Sequence, residues 1–262
     1  MNKITIENLN TLKTKKEKIT CLTAYDASFA QIIDQAGVEV ILVGDSLGTI
    51  IQGNKTTVST TVNDMIYHTQ AVTKVVENAL VIIDLPFLSY SSKQKAFKTV
   101  SKIFRNTQAH MVKLEGVQTK IIKALSKQGV AVCAHLGLLP QSINHYGKYQ
   151  AQGTKPDTAK KLLNEAIAVQ EAGAKLLVLE CVPAQLARQI SQELTIPTIG
   201  IGAGVDCDGQ VLVLYDLLGI SLNKTPKFAK NYLQSADSVQ EAIKQYIQEV
   251  KTKTFPTSEH SF

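Results

Sequence analysis

Eight short runs of apolar and β-branched residues recur along the chain. They are separated by longer stretches whose apolar residues return every three or four positions. The runs are "KITCLTAYD" (18–26), "VEVILVGD" (38–45), "ALVIIDLPF" (79–87), "AHMVKLEG" (109–116), "VAVCAHLG" (130–137), "AKLLVLECV" (174–182), "IPTIGIGAG" (196–204) and "QVLVLYDLLG" (210–219). A short run that is apolar almost without a break predicts a strand covered on both faces. The stretches Ala27–Ala36, Thr61–Glu77, Lys93–Arg105, Thr119–Lys127, Asp157–Ala172 and Pro183–Leu194 have helical length and one apolar side, which predicts helices between the strands. "TTVNDM" and "TKPDTAKK" supply Thr or Asp as N-caps, and the glycines of "QAG", "KQG" and "EAGA" stand just past three helix ends. At "AGVEVILV" and "AGAKLLVL" a helix stop leads straight into a strand, the mark of a βαβ unit.

Alternation of this kind predicts parallel strands. Eight such units in 262 residues predict a single (β/α)8 TIM barrel domain, with a doubly wound open sheet as the alternative. Residues 1–17 read as an N-terminal extension. Residues 237–262 read as a C-terminal helix and tail, with the helix over Ser238–Lys251 packed outside the barrel. "VDCDGQ" leaves little room for a helix after the seventh strand, and residues 220–236 show no clear pattern.

Composition narrows the class. Apolar residues make up 44% and charged residues 19%, enough for a large core. No apolar run reaches bilayer length, and "MNKITIENLN" lacks the charged-then-apolar order of a leader, so the expectation is a cytoplasmic protein without a membrane partner. Cys21, Cys133, Cys181 and Cys207 lack CxxC spacing and are expected to be free buried thiols. The net charge of +6 is concentrated in "TLKTKKEK" and "EVKTKTF", the pattern of solvated faces. With no Trp and only 6% aromatics, stacking surfaces for nucleic acid are poorly supplied, and no nucleic-acid partner is expected.

The charges that interrupt the apolar runs carry the chemistry. In "VIIDLPFLSY" three apolar residues lead directly into Asp84. The other runs end comparably: Tyr25-Asp26, Asp45-Ser46, Lys113 with Glu115, His135, and Glu180. A single carboxylate at a strand end often only marks the start of a loop. In a barrel, however, the carboxyl ends of all strands meet at one mouth, where active sites lie. Lys113 and Glu115 are two apart and so share one face of a strand. Several carboxylates so close resist joint ionisation, and a divalent cation relieves the conflict. The donors are oxygens, which favours Mg²⁺ over zinc. Magnesium held by one or two carboxylates leaves positions for a 2-oxo acid and stabilises its enolate. Glu180 is then the candidate base, and Lys113 the partner for the substrate carboxylate or the oxyanion. "GIGAG" (200–204) is either a phosphate cradle or a place of close backbone approach. "NHYGKYQAQG" (144–153) is either a lid or plain surface.

The stretches "TAYDASFA", "VGDSLG", "DLPFLSY", "VKLEG", "AHLGLLPQS", "QAQG", "LLVLECVP", "TIGIGAG" and "CDGQVLVLYDLLG" run in order across residues 18 to 220. Together they resemble the ketopantoate hydroxymethyltransferase family. The resemblance implies a magnesium-dependent barrel of the phosphoenolpyruvate/pyruvate type. Such an enzyme moves a hydroxymethyl unit from 5,10-methylenetetrahydrofolate to 3-methyl-2-oxobutanoate and yields 2-dehydropantoate for pantothenate biosynthesis. It implies Asp45, Asp84 and Glu115 as metal-site carboxylates. It implies Asp45, Ser46, Asp84, Lys113 and His135 as substrate contacts, and Glu180 as proton acceptor. It also implies a homo-oligomer, commonly a decamer. Val117, Ala134, Leu139 and Leu85 depart from the usual family residues without removing a charge. The alternative function is a magnesium-dependent lyase or mutase acting on another small 2-oxo acid.

Overall fold

The computed structural model describes residues 3–148, 150–222 and 225–262. The chain opens with helix α1 (Ile6–Thr14), then alternates β1 (Ile19–Thr23), α2 (Ala27–Ala36) and β2 (Val40–Val43). A short α3 (Leu47–Ile50) and α4 (Val62–Thr73) lead to β3 (Leu80–Asp84), α5 (Lys93–Asn106) and β4 (Met111–Glu115). Next come α6 (Thr119–Ser126), β5 (Val132–Gly137), a short α7 (Ile143–Tyr146), α8 (Pro156–Glu171) and β6 (Leu176–Glu180). Then α9 (Ala184–Glu193), β7 (Thr198–Ile201), β8 (Gly209–Leu212), a short α10 (Leu214–Leu217) and α11 (Val239–Lys251) complete the order. The strands form a closed parallel barrel in sequence order, with β1 sealed to β8 from Ile19↔Gly209 to Leu22↔Leu212. The open-sheet alternative is excluded by that closure.

Alternation along each strand divides the core in two. Val81, Ile83, Val112, Leu114, Leu177 and Leu179 point outward under the helices. Cys21, Val40, Leu42, Leu80, Ile82, Met111, Cys133, Leu176 and Val178 fill the lumen. The same parity decides what happens at the carboxyl ends. Asp84 continues the inward face of Leu80 and Ile82, Lys113 and Glu115 that of Met111, His135 that of Cys133, and Glu180 that of Leu176 and Val178. The lumen is apolar below and ionic above.

Several local expectations need correction. Within the N-terminal extension of residues 1–17, Ile6–Thr14 forms a helix that was not expected, capped by Thr5 and Asn8 in a reciprocal box, and buried Leu9 joins the lumen core. "QVLVLYDLLG" is not one strand, because the chain turns at Val213 into α10. Thr61 caps α4 as expected, but α8 starts from Lys155 with Pro156 in its first turn. Gly37, Gly129 and Gly173 all adopt the left-handed backbone expected of helix stops. Tyr246 of α11 donates its hydroxyl to the carbonyls of Cys21 and Gln210, fastening the last helix across the β1–β8 seam. All four cysteines are free and buried.

Candidate active site

The inward-facing ends converge on a cavity of about 120 Å³ lined by Asp45, Ser46, Asp84, Lys113, Glu115, His135 and Glu180. Asp26 is not among them. It caps α2 by accepting from the Phe29 N–H at 2.9 Å, a structural duty for a strand-end acid. Its neighbour Tyr25 is fully buried and its hydroxyl pairs with Ser46 Oγ at 2.8 Å, fixing the serine beside the cavity.

Asp84 is held from two sides. Lys113 Nζ lies 2.7 Å from its Oδ1, and the Asp45 N–H donates to its Oδ2 at 3.0 Å. Burial draws the Lys113 ammonium down. Asp84, then Asp45 and Glu115, outweigh burial and hold it above the ordinary lysine value. Asp45 shows the opposite imbalance. Burial first, and then the charges of Asp84 and Glu115, push it up to about 8.

His135 lies between two acids. Its Nε2 stands 3.2 Å from Glu180 Oε2 and its Nδ1 stands 3.6 Å from Glu115 Oε1. Neither contact is aligned as a hydrogen bond, so both act through charge. Burial and Lys113 pull the imidazole down, but Glu115 and Glu180 carry it up to about 9. Glu180 is the more open of the two acids, with 15% of its side chain exposed against 5% for Glu115. That leaves it a free face on the cavity.

Gln141 ties the acids together, a role that nothing in the sequence around it signals. From the loop after β5, its Nε2 donates to Asp45 Oδ2 at 2.8 Å and to the Leu85 carbonyl at 3.0 Å. Its backbone N–H donates to Glu115 Oε2 at 3.1 Å, and its Oε1 accepts the buried Tyr90 hydroxyl at 2.7 Å. The Pro140 before it in "LPQS" signals a turn but not a buried amide.

The donor set fits a hard cation in part. Asp45 and Asp84 offer carboxylate oxygens to one cavity, where burial and then the charges of Asp84 and Glu115 hold Asp45 raised despite Lys113. Glu115 is turned onto Gln141 and His135, and among the described residues no group of three His, Cys, Asp or Glu side chains is spaced to grip a metal. Two carboxylates are enough for magnesium, which keeps much of its water or substrate shell.

The glycines of "GIGAG" serve close packing. A Cβ on Gly200 would meet Cys207 Sγ at 2.9 Å, one on Gly202 would meet the Phe228 and Phe262 rings at 3.2 Å, and one on Gly204 would meet the Ala184 Cβ at 2.5 Å. Of the 144–153 segment, Gln152 is pinned by its N–H to the Cys181 carbonyl at 2.9 Å, while Tyr149 lies outside the described residues.

A family model described as ketopantoate hydroxymethyltransferase matches residues 3–258. A 3-methyl-2-oxobutanoate hydroxymethyltransferase of Psychromonas ingrahamii is 48% identical over the full length of both chains. A protein of Hahella chejuensis named 3-methyl-2-oxobutanoate hydroxymethyltransferase 2 is 50% identical over 99% of this chain and 98% of its own. Among solved structures, phosphoenolpyruvate phosphomutase from Streptomyces platensis subsp. rosaceus superposes with a TM-score of 0.61 at 13% identity, covering 82% of each chain. Phosphonopyruvate hydrolase, solved with oxalate and Mg²⁺, superposes with a TM-score of 0.60 at 12% identity over 81% of each. These two share the fold. No described helix is long and apolar enough to cross a membrane. The motifs carried on the strand ends, the barrel that gathers them and the full-length relatives converge on one statement: this chain belongs to the ketopantoate hydroxymethyltransferase family.

Proposed function

We propose that this chain transfers a hydroxymethyl group from 5,10-methylenetetrahydrofolate to 3-methyl-2-oxobutanoate, giving 2-dehydropantoate for pantothenate synthesis in the cytoplasm. The observation that carries this reading is the shared cavity in which Asp45, Asp84, Lys113 and Glu180 face one another from four strand ends. Full-length relatives that carry the oxo acid in their names support it.

Asp45 and Asp84 would hold magnesium, which when bound polarises the keto oxygen and steadies negative charge on it. Ser46, held by Tyr25, and Lys113, held by Asp84, would meet the substrate carboxylate and keto oxygen. Glu180 removes the proton from C3 of the oxo acid. His135, positively charged near neutrality, sits against Glu180 and orients it. Water adds to the methylene carbon of the donor as its two carbon–nitrogen bonds break and the nitrogens take up the two protons, which frees tetrahydrofolate and a one-carbon aldehyde. The carbanionic C3 bonds to that aldehyde carbon, and its oxygen takes a proton and becomes the hydroxyl. The balance is oxo acid plus methylenetetrahydrofolate plus water to 2-dehydropantoate plus tetrahydrofolate.

We also read the chain as a homo-oligomer, with the decamer as the expected form. Tyr67, Leu88, Phe87 and Phe97 are large apolar or aromatic side chains left exposed on one chain. The decisive experiment incubates the purified protein with 3-methyl-2-oxobutanoate and methylenetetrahydrofolate, with and without Mg²⁺. Production of 2-dehydropantoate only with the metal and the folate supports the reading. Folate-independent cleavage or rearrangement of an oxo acid, as in a lyase or mutase, overturns it.

A further inference from the structure

A second chamber of about 360 Å³ adjoins the carboxylate cavity. Ser46, Thr57, Pro140, Glu180 and Phe228 line both, so the two are neighbouring compartments of one mouth. The chamber is three times the volume of the carboxylate cavity, and its remaining wall includes Leu138, Cys181 and Phe262. The small compartment gathers Asp45, Asp84, Lys113, Glu115, His135 and Glu180, whereas Glu180 and Lys227 are the charged side chains on the wall of the large one.

Phe262 comes from the C-terminal tail and is fastened in place. Its carbonyl accepts from the Ala184 N–H at 2.9 Å, at the start of α9. Lys227 Nζ donates to the Ser261 carbonyl at 2.6 Å and lies 4.8 Å from the centre of the Phe262 ring. Gly202 supplies the space: a Cβ there would press on both Phe228 and Phe262 at 3.2 Å. The division between compartments is made in the backbone. Cys181 has φ of 49°, a left-handed conformation uncommon for a residue with a side chain. Its N–H donates to the Ile201 carbonyl at 2.9 Å and its own carbonyl accepts from Gln152, which hold the bend. Glu180 therefore stands on the boundary and lines both compartments, and the next residue lines only the larger one.

We propose that the apolar chamber takes the bicyclic ring of the tetrahydrofolate donor, with Phe262 as one wall and Lys227 at its rim. The inference rests on the reaction proposed above. That reaction needs a flat ring to bring its one-carbon unit to C3 of an oxo acid already beside Glu180. A chamber of this size, with aromatic walls and Glu180 in its boundary, meets that need. The exposed Lys227 ammonium suits the glutamate carboxylates that trail from the ring toward solvent.

The test uses the whole protein and three readouts: deuterium exchange at C3 of the oxo acid with Mg²⁺ alone, KM for each substrate, and calorimetric binding of tetrahydrofolate. In Phe262→Ala the KM for methylenetetrahydrofolate should rise roughly tenfold, and tetrahydrofolate binding should weaken in step. The KM for the oxo acid should move by less than about twofold. Phe262→Tyr, which keeps the ring, should restore donor binding. An unchanged donor KM in Phe262→Ala, or an equal rise in both KM values, overturns the assignment of the chamber. Failure of the wild-type protein to exchange deuterium or to form product instead removes the reaction on which the assignment rests.

Discussion

Gln141 Nε2 stands 2.8 Å from Asp45 Oδ2, inside a barrel mouth where Asp45 has been pushed up to about 8. An amide brought in from a loop thus supports the most crowded acid of the site. The same residue supports Glu115 through its backbone and receives the Tyr90 hydroxyl. Gln141→Leu should leave the backbone contact in place and remove the side-chain ones. Supporting residues of this kind typically contribute about 10–100-fold in metal affinity or activity. A Mg²⁺ titration by calorimetry should show weakening of that order. Metal affinity equal to the wild type would assign Gln141 to loop packing alone.

Lys113 and Asp84 form a buried ion pair, with 7% and 4% of their side chains exposed. Replacing one member strands the other charge in a desolvated place, which costs roughly 3–5 kcal/mol. Lys113→Met should therefore lower the urea midpoint of the metal-free protein strongly. The double variant Lys113→Met with Asp84→Leu should recover much of that loss, because it removes both charges. If the double variant is no more stable than the single one, the pair's role is packing and not charge.

Glu180 can be separated from binding. Glu180→Gln keeps shape and loses the proton acceptor. Deuterium exchange at C3 should fall by about 10²–10⁴ while the oxo acid still binds by calorimetry. Exchange that persists near the wild-type rate would move the base to another residue.

The barrel and its ionic rim are legible in the sequence for one physical reason. A strand covered on both faces is an unbroken apolar run, so a charge at its end is conspicuous. Asp84 after "VII" and Glu180 after "LLVL" stand out for that reason, and the structure sets them facing one cavity. Parity carries Lys113 and Glu115 to the same side, as their spacing requires. Legibility stops where the signal is tertiary. Gln141 is a polar residue on a loop, and only its partners from three other strand ends mark it. Asp26 looks like Asp84 by position, yet it caps a helix. "QVLVLYDLLG" is apolar throughout, and an apolar run of that length cannot by itself separate a strand from a strand, a turn and a helical turn. The α1 helix was obscured by its basic end, although Ile6, Leu9 and Leu12 recur at helical spacing.

His110 gives stability a pH dependence at the opposite end of the barrel. The Val81 N–H donates to its Nδ1 at 3.0 Å, and the His110 N–H donates back to the Val81 carbonyl at 2.9 Å. Nδ1 must be unprotonated to accept. Burial, with Lys3 nearby, holds the imidazole below its ordinary value of 6.5. The unfolded chain then takes up a proton that the folded chain resists. This contribution is fully present above pH 6.5 and is lost as pH falls from there through the lowered folded value. His110→Asn places a non-titrating acceptor there. Between pH 7.5 and 5 its urea midpoint should fall less steeply than that of the wild type. Parallel curves would exclude His110 from the linkage.

Gly137 tests how closely β5 and β6 must approach at the site. Its φ is 96°, where a side chain is strained, and a Cβ there would lie 2.2 Å from the Glu180 carbonyl oxygen and 2.8 Å from Val182 Cγ2. That carbonyl cannot retreat freely, because it accepts the Leu138 N–H at 2.8 Å. Gly137→Ala must therefore push the end of β6 away from β5 or break that bond. Backbone strain of this kind costs about 1–3 kcal/mol, and the displaced backbone belongs to the candidate base itself. The expected result is a lowered melting temperature together with slower C3 exchange, and little change at Lys113 or Asp84, which sit on other strands. A variant that melts earlier but exchanges at the wild-type rate would show that Glu180 keeps its position without this contact.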